Sequence, residues 1–181
     1  MKNTSSRPGA MFESGRLRFR LWSEDDLEAG RALWCDPRVM QHIEAPLETD
    51  EQVLRCIRAG KAHFEEHGVQ HFALEHKATG EVLGCCGFNM ERDEDDPEGA
   101  FLELVIHLRA TRWGKGYGQE AVNAALAWAK QHELAARVVA STTEENTSMR
   151  IILERAGMRE LGKRWYEDTE RYEYTYEVDI T

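Results

Sequence analysis

The sequence predicts a mixed α/β domain, an α+β arrangement in which a largely antiparallel, twisted sheet is flanked by helices. Three observations carry this expectation. Apolar residues alternate with period two over several short runs. Longer segments carry helix caps and one apolar face. The chain closes on a hairpin whose last strand puts Tyr172, Tyr174, Tyr176, Val178 and Ile180 on one side. In order, the elements read β-α-α-β-β-β-α-β-α-β-β, with an antiparallel first half.

The first strand is expected from Glu13 to Trp22, where Leu17, Phe19 and Leu21 alternate with Arg16, Arg18 and Arg20. Ser23 then caps a helix whose first turn, Glu24, Asp25 and Asp26, suits the positive end of the dipole. That helix runs to Cys35, and Asp36-Pro37 restarts the chain. Thr49 caps a second helix reaching about Glu66, which Gly68 ends. A strand from His71 to Glu75, a turn at Lys77-Ala78-Thr79-Gly80 and a strand from Glu81 to Met90 form a hairpin. An acidic loop from Glu91 to Gly99 leads to a strand from Phe101 to Leu108. The segment from Gly118 to His132 gathers Ala121, Val122, Ala125, Trp128 and Ala129 on one helical face. A strand from Arg137 to Thr142, a short helix from Asn146 to Ala156 and the final hairpin complete the chain. A length of 181 residues suits one domain. It is expected over 12–181, with 1–11 as a flexible tail because that stretch is small and polar.

Composition narrows the function classes. The formal net charge is −10, from 33 acidic and 23 basic residues, which repels phosphate backbones and suits cationic amines or basic peptides. No nucleic acid partner is expected, and an anionic ligand needs a local basic pocket. No apolar run approaches the roughly 20 residues of a membrane span, so a cytoplasmic chain, monomer or homodimer, is expected. Cys35, Cys56, Cys85 and Cys86 show no Cys-x-x-Cys spacing, and Cys85-Cys86 reads as a pair of packed thiols. His63, His67 and His71 recur at the spacing of helical metal ligands, but Gly68 interrupts the helix, and no metal is expected.

The most informative stretch is Trp113-Gly114-Lys115-Gly116-Tyr117-Gly118, between a strand and a helix. Alternating glycines remove side chains where a ligand would approach the backbone, and the helix behind them offers free N–H groups. Arg109, Arg112 and Lys115 add positive charge. A P-loop would need Ser or Thr after the lysine, where Gly116 stands, and a dinucleotide loop would need glycine at Gln119.

This loop, followed by Gln119-Glu120-Ala121, resembles the acyl-CoA-binding motif of the GNAT superfamily of N-acetyltransferases, in particular its RimJ/RimL-like branch. Gly116 and Gly118 match the superfamily pattern, and Trp113 stands where Gln or Arg is usual. The resemblance spans most of the chain: Arg16 to Arg20 with Glu24-Asp25-Asp26, Trp34 to Met40, Thr79 to Gly84, and Leu153 to Met158 with Asn146 before it. It implies the GNAT acyl-CoA N-acyltransferase fold, with acetyl-CoA as cosubstrate and an amine, on a protein N-terminus or a small molecule, as acceptor. It further implies that Trp113 to Gly118 hold the pyrophosphate, and that Ile106, His107 and Leu108 bind the pantetheine arm as an added strand. Asn146 would reach that arm from the other side.

Amine acetylation demands a proton acceptor and a donor for the developing oxyanion. Leu102, Leu104, Ile106 and Leu108 form one face of their strand, so Glu103 and His107 point from the other. Glu103 is the candidate base by itself or through water, as its family position also implies, and His107 is a second. The family's usual acids are absent: Leu153 stands where a Tyr is common and Met149 where the Rim-type branch has Ser. That leaves Ser148 or Tyr166 to protonate the thiolate. The missing acid also keeps open a catalytically silent acyl-CoA-binding sensor or scaffold.

Overall fold

The computed structural model describes residues 9–92, 99–167 and 170–181. Its centre is one sheet of eight strands in the order β1-β2-β3-β4-β5-β6-β8-β7. The strands are β1 (Ala10–Glu13), β2 (Leu17–Arg20), β3 (His71–His76), β4 (Val82–Arg92), β5 (Ala100–Leu108), β6 (Arg137–Thr143), β7 (Arg159–Tyr166) and β8 (Arg171–Asp179). The helices are α1 (Leu27–Trp34), α2 (Pro37–Met40), α3 (Asp50–His67), α4 (Tyr117–Gln131) and α5 (Thr147–Arg155). Every neighbouring pair is antiparallel except β5 and β6, which run parallel because α4 crosses over between them. The expected mixed, largely antiparallel sheet flanked by helices is therefore present.

The start of the chain corrects the expectation. A hairpin replaces the single strand from Glu13 to Trp22, and Ala10 and Met11, assigned to the tail, open β1. Residues 1–8 lie outside those described. Phe12 holds β1 down, stacking on Phe19 at 4.1 Å and on Trp128 at 4.7 Å between ring centroids. Arg20, one of the arginines that alternate with the apolar residues, is buried. Its guanidinium donates twice to Asp26, at 2.8 Å each, and to Glu75 at 2.9 Å, so the buried charge is fully partnered.

Two apolar layers cover the sheet. On one face, Leu33 and Trp34 of α1 and Val53 and Ile57 of α3 pack with Trp22 and Cys85. On the other, Ala121, Val122, Ala125 and Ala129 of α4 lie on Leu102, Leu104, Val138 and Ala140. Small residues on α4 bring it close to the strands. Thr49 caps α3 through a reciprocal pair with Gln52, and Gly68, at φ 74°, ends it. Among the described residues no helix is long and apolar enough to cross a membrane. The expected acidic loop falls largely on 93–98, outside the described residues, while Glu91 and Arg92 prolong β4.

Candidate active site

The register of β5 sets the site. Against β4 it pairs continuously, from Gly84 opposite Leu108 to Arg92 opposite Ala100. Against β6 it pairs only at Leu102 with Val138 and Glu103 with Val139, while β6 continues along β8 as far as Thr143 opposite Glu173. Beyond Glu103 the two parallel strands part. The Arg109 N–H donates to the Leu83 carbonyl at 2.9 Å, so by alternation the backbone groups of 104, 106 and 108 face the gap. By the same alternation the His107 backbone turns to β4. The Leu108 carbonyl already accepts from the Trp113 indole at 2.8 Å, which leaves Ile106 the freer edge.

The Gly-rich loop stands at the end of this gap. Gly114 and Gly116 have φ of 70° and 76°, a region in which L side chains are strained. Gly116 is the N-cap of α4 and no side chain caps the helix, so its first N–H groups stay available. A Cβ at Gly114 would meet nothing within 4 Å, and one at Gly116 only Arg16 Nη2 at 3.5 Å. Gly118 is different: it is buried, and a Cβ there would lie 2.9 Å from Ile152 Cδ1. Its bareness lets α4 pack closely on α5.

The charge around the loop also differs from expectation. Arg109 and Arg112 both turn to Glu81, Arg109 at 3.1 Å and Arg112 through Nε at 3.2 Å and a second contact from Nη2. The cations against the loop are the exposed Lys115 and Arg16. Arg16 lies over the Tyr117 ring at 4.3 Å, and its Nη1 donates to the Lys115 carbonyl at 3.0 Å. Glu120 anchors the arrangement, accepting from the Ser14 hydroxyl at 2.6 Å, the Arg16 backbone N–H at 2.7 Å and Arg16 Nε at 2.6 Å. Partial burial pushes the Glu120 pKa up, but these donors outweigh it and hold the carboxyl below the usual range. Arg16 and Glu120 are 104 residues apart, beyond any pattern read along the chain.

On the face carrying α1 and α3, a cavity of about 340 Å³ opens over β3, β4 and β5, lined by Trp34, Glu44, Gln70, His71, Asn89 and His107 among others. Several buried polar atoms here have no partner: both ends of the Gln70 carboxamide, His71 Nε2 and His107 Nδ1. Burial pushes both imidazoles down to about 4, so they are neutral near pH 7. Glu103 turns to Asn89, whose Nδ2 donates to its Oε2 at 3.0 Å. His63 Nε2 accepts from the Met90 N–H at 3.1 Å. Gln70 and Asn89 carried no motif and His71 only the histidine spacing; the pairing of β3 with β4 brings them together.

Across the gap, Asn146 caps α5, its Oδ1 accepting from the Met149 N–H at 3.2 Å. Ser148 is exposed in the first turn of α5, and Tyr166, half-buried, ends β7 opposite Arg171. Leu153 is fully buried. Glu173, absent from the sequence reading, is a second carboxylate in this region. Burial pushes its pKa up, Arg171 opposes that, and the charge of Glu103 adds to it. Cys85 and Cys86 are buried, with Cys85 pushed up to about 12 by burial, as packed thiols should be.

A model of the GNAT acetyltransferase domain matches residues 16–159. The chain belongs to the GNAT acetyltransferase family. Among its GNAT relatives, a Bacillus licheniformis protein named as the uncharacterized N-acetyltransferase p20 is 30% identical over 133 residues, 73% of this chain and 72% of that one. Among solved structures, RimL, the ribosomal L7/L12 alpha-N-protein acetyltransferase in complex with coenzyme A, aligns with a TM-score of 0.81 at 13% identity. That alignment covers 95% of this chain and 98% of RimL. The spermidine N-acetyltransferase of Vibrio cholerae, in complex with CoA and spermine, aligns at 0.77 with 17% identity, over 91% and 96% of the two chains. At these identities the likeness is one of GNAT fold.

Proposed function

We propose that this GNAT acetyltransferase takes an acetyl group from acetyl-CoA bound between β5 and β6. It passes the group to a primary amine by direct attack in a ternary complex. The amine belongs to a protein N-terminus, as in RimL, or to a small molecule. One observation supports the reading: β5 has a backbone edge on the gap, while its Glu103 and His107 side chains lie on the cavity face.

The residues fit the cosubstrate. Backbone N–H groups of the uncapped α4 terminus, with Trp113 to Gly118 around them and Arg16 and Lys115 nearby, suit a pyrophosphate. The Ile106 edge and the Asn146 carboxamide suit the amide-bearing pantetheine arm, with the Leu108 end beneath Trp113. A free N–H on that edge would receive the oxyanion as the amine attacks. The acceptor enters from the cavity, and its proton is drawn toward the Glu103 carboxylate and the neutral imidazoles beside it. The departing thiolate is stable enough to leave with little help, and Ser148 stands on the α5 side to assist it.

Calorimetric titration with acetyl-CoA, followed by thiol release against N-terminal peptides and small amines, tests this reading. Binding with amine-dependent release is expected. Binding without release from any amine would favour a sensor or scaffold module, a reading to which the burial of Leu153 at the usual Tyr position lends weight.

A further inference from the structure

We propose that His71 takes the proton from the acceptor amine, held for that purpose by a chain of side chains running through Asn89 to Glu103. The inference rests on the acetyltransferase reading above and names the group that touches the amine.

The geometry is built by three adjacent strands. His71 of β3 lies opposite Gly87 of β4, Gly87 opposite Val105 of β5, and Asn89 opposite Glu103. Alternation puts all five on the face that carries the cavity, and Gly87 leaves no side chain between His71 and β5. The Glu103 carboxylate only accepts, so the Asn89 group 3.0 Å from it is the NH₂ end. That leaves the Asn89 oxygen to face the His71 ring, an interaction that favours the charged imidazole and opposes the effect of burial. Nε2 is buried and without a partner, so the ring atom assigned to Asn89 is Nδ1. A neutral imidazole that donates from Nδ1 presents a lone pair at Nε2, here buried in the wall of the cavity.

The neighbours favour His71 over the other histidines. Nε2 of His63, on α3, is spent on Met90. His107 on β5 lies near enough that charge on the His71 ring opposes charge on its own. Cys56 of α3 and Glu44 of the α2–α3 connection also line the cavity. The positioning residues are Asn89, which fixes the tautomer, and Glu103, whose charge stabilises the imidazolium through the amide. In the step, the nitrogen lone pair bonds to the thioester carbon, the nitrogen becomes positive and its proton acidic, and that proton moves to Nε2. The C–S bond then breaks, and the imidazolium returns the proton to the thiolate or to solvent. Because the nitrogen proton becomes acidic only on attack, a weakly basic ring suffices.

Two measurements test the role. Long-range ¹H–¹⁵N spectra of the ligand-free protein should show His71 as the Nδ1–H tautomer, and Asn89→Leu should abolish that preference. His71→Ala should lower kcat/KM for the amine by about 100-fold while acetyl-CoA affinity stays within about threefold, with partial rescue by added imidazole. His71→Asn provides a second variant of smaller structural effect, and Glu103→Gln should lower kcat by about tenfold. An Nε2–H tautomer in the wild type, or both His71 variants retaining near-full turnover, would overturn the role alone. A wild-type protein that acetylates no amine would overturn the transferase reading and this role with it.

Discussion

Arg16 Nε lies 2.6 Å from Glu120 Oε2, and the same guanidinium reaches the Lys115 carbonyl at 3.0 Å. One residue of the first hairpin thus grips the Gly-rich loop from both of its sides. The ion pair is half open to water, so Arg16→Met should cost less than about 1 kcal/mol of stability. Its effect should fall on the loop: faster amide exchange over 113–118 and an acetyl-CoA dissociation constant raised by about tenfold, a shift of about 1.4 kcal/mol. Exchange mass spectrometry and calorimetry check this, and unchanged protection of the loop would remove the bracing role.

Gly116→Val places a β-branched residue at a φ of 76°. The strain is of order 1–3 kcal/mol, and the new side chain points toward Arg16 and the helix terminus. Acetyl-CoA binding should weaken by well over tenfold while the far-ultraviolet spectrum stays that of the native fold. Equal affinity would mean that no ligand approaches the backbone at this residue.

Acid should destabilise the protein well before its carboxylates titrate. His71 and His107 sit at about 4 in the folded chain against about 6.5 when free. Between those values the unfolded chain binds protons that the native one refuses, so stability is complete above pH 6.5 and falls as pH drops toward 4. The limit is of order 3 kcal/mol for each ring. Urea unfolding across this range should show the slope, and replacing both histidines by Gln should flatten it.

Ser148→Ala is expected to lower turnover by less than about tenfold, because a thiolate leaves without strong acid assistance. Its hydroxyl is exposed on the first turn of α5, unconstrained by burial. A loss of 100-fold or more in kcat, with acetyl-CoA affinity intact, would assign Ser148 a direct part in protonating sulfur.

What the sequence made legible was whatever one element carries alone. Period two at Leu102, Leu104 and Ile106 fixed which way Glu103 points, and the glycine spacing at 114 and 116 marked the loop. Contacts between elements distant in sequence stayed hidden. Nothing in a run of alternating arginines distinguishes Arg20, enclosed by Asp26 and Glu75, from Arg18 on the surface. Arg109 and Arg112 looked like the loop's charges because they are its neighbours in sequence, yet the β3–β4 turn delivers Glu81 to them. Gln70, His71 and Asn89 became a group only once β3 and β4 were in register.

A sheet that opens along a seam is two half-sheets sharing a hinge, and here the hinge is two rungs long, 102 with 138 and 103 with 139. An extended molecule laid into the seam supplies the absent rungs, so an occupant braces the chain as well as reacting upon it. Saturation at 100 times the dissociation constant adds about 2.7 kcal/mol by mass action alone. Because the brace spans both halves, that gain is distributed through strands that never touch the ligand, from the first hairpin to the last.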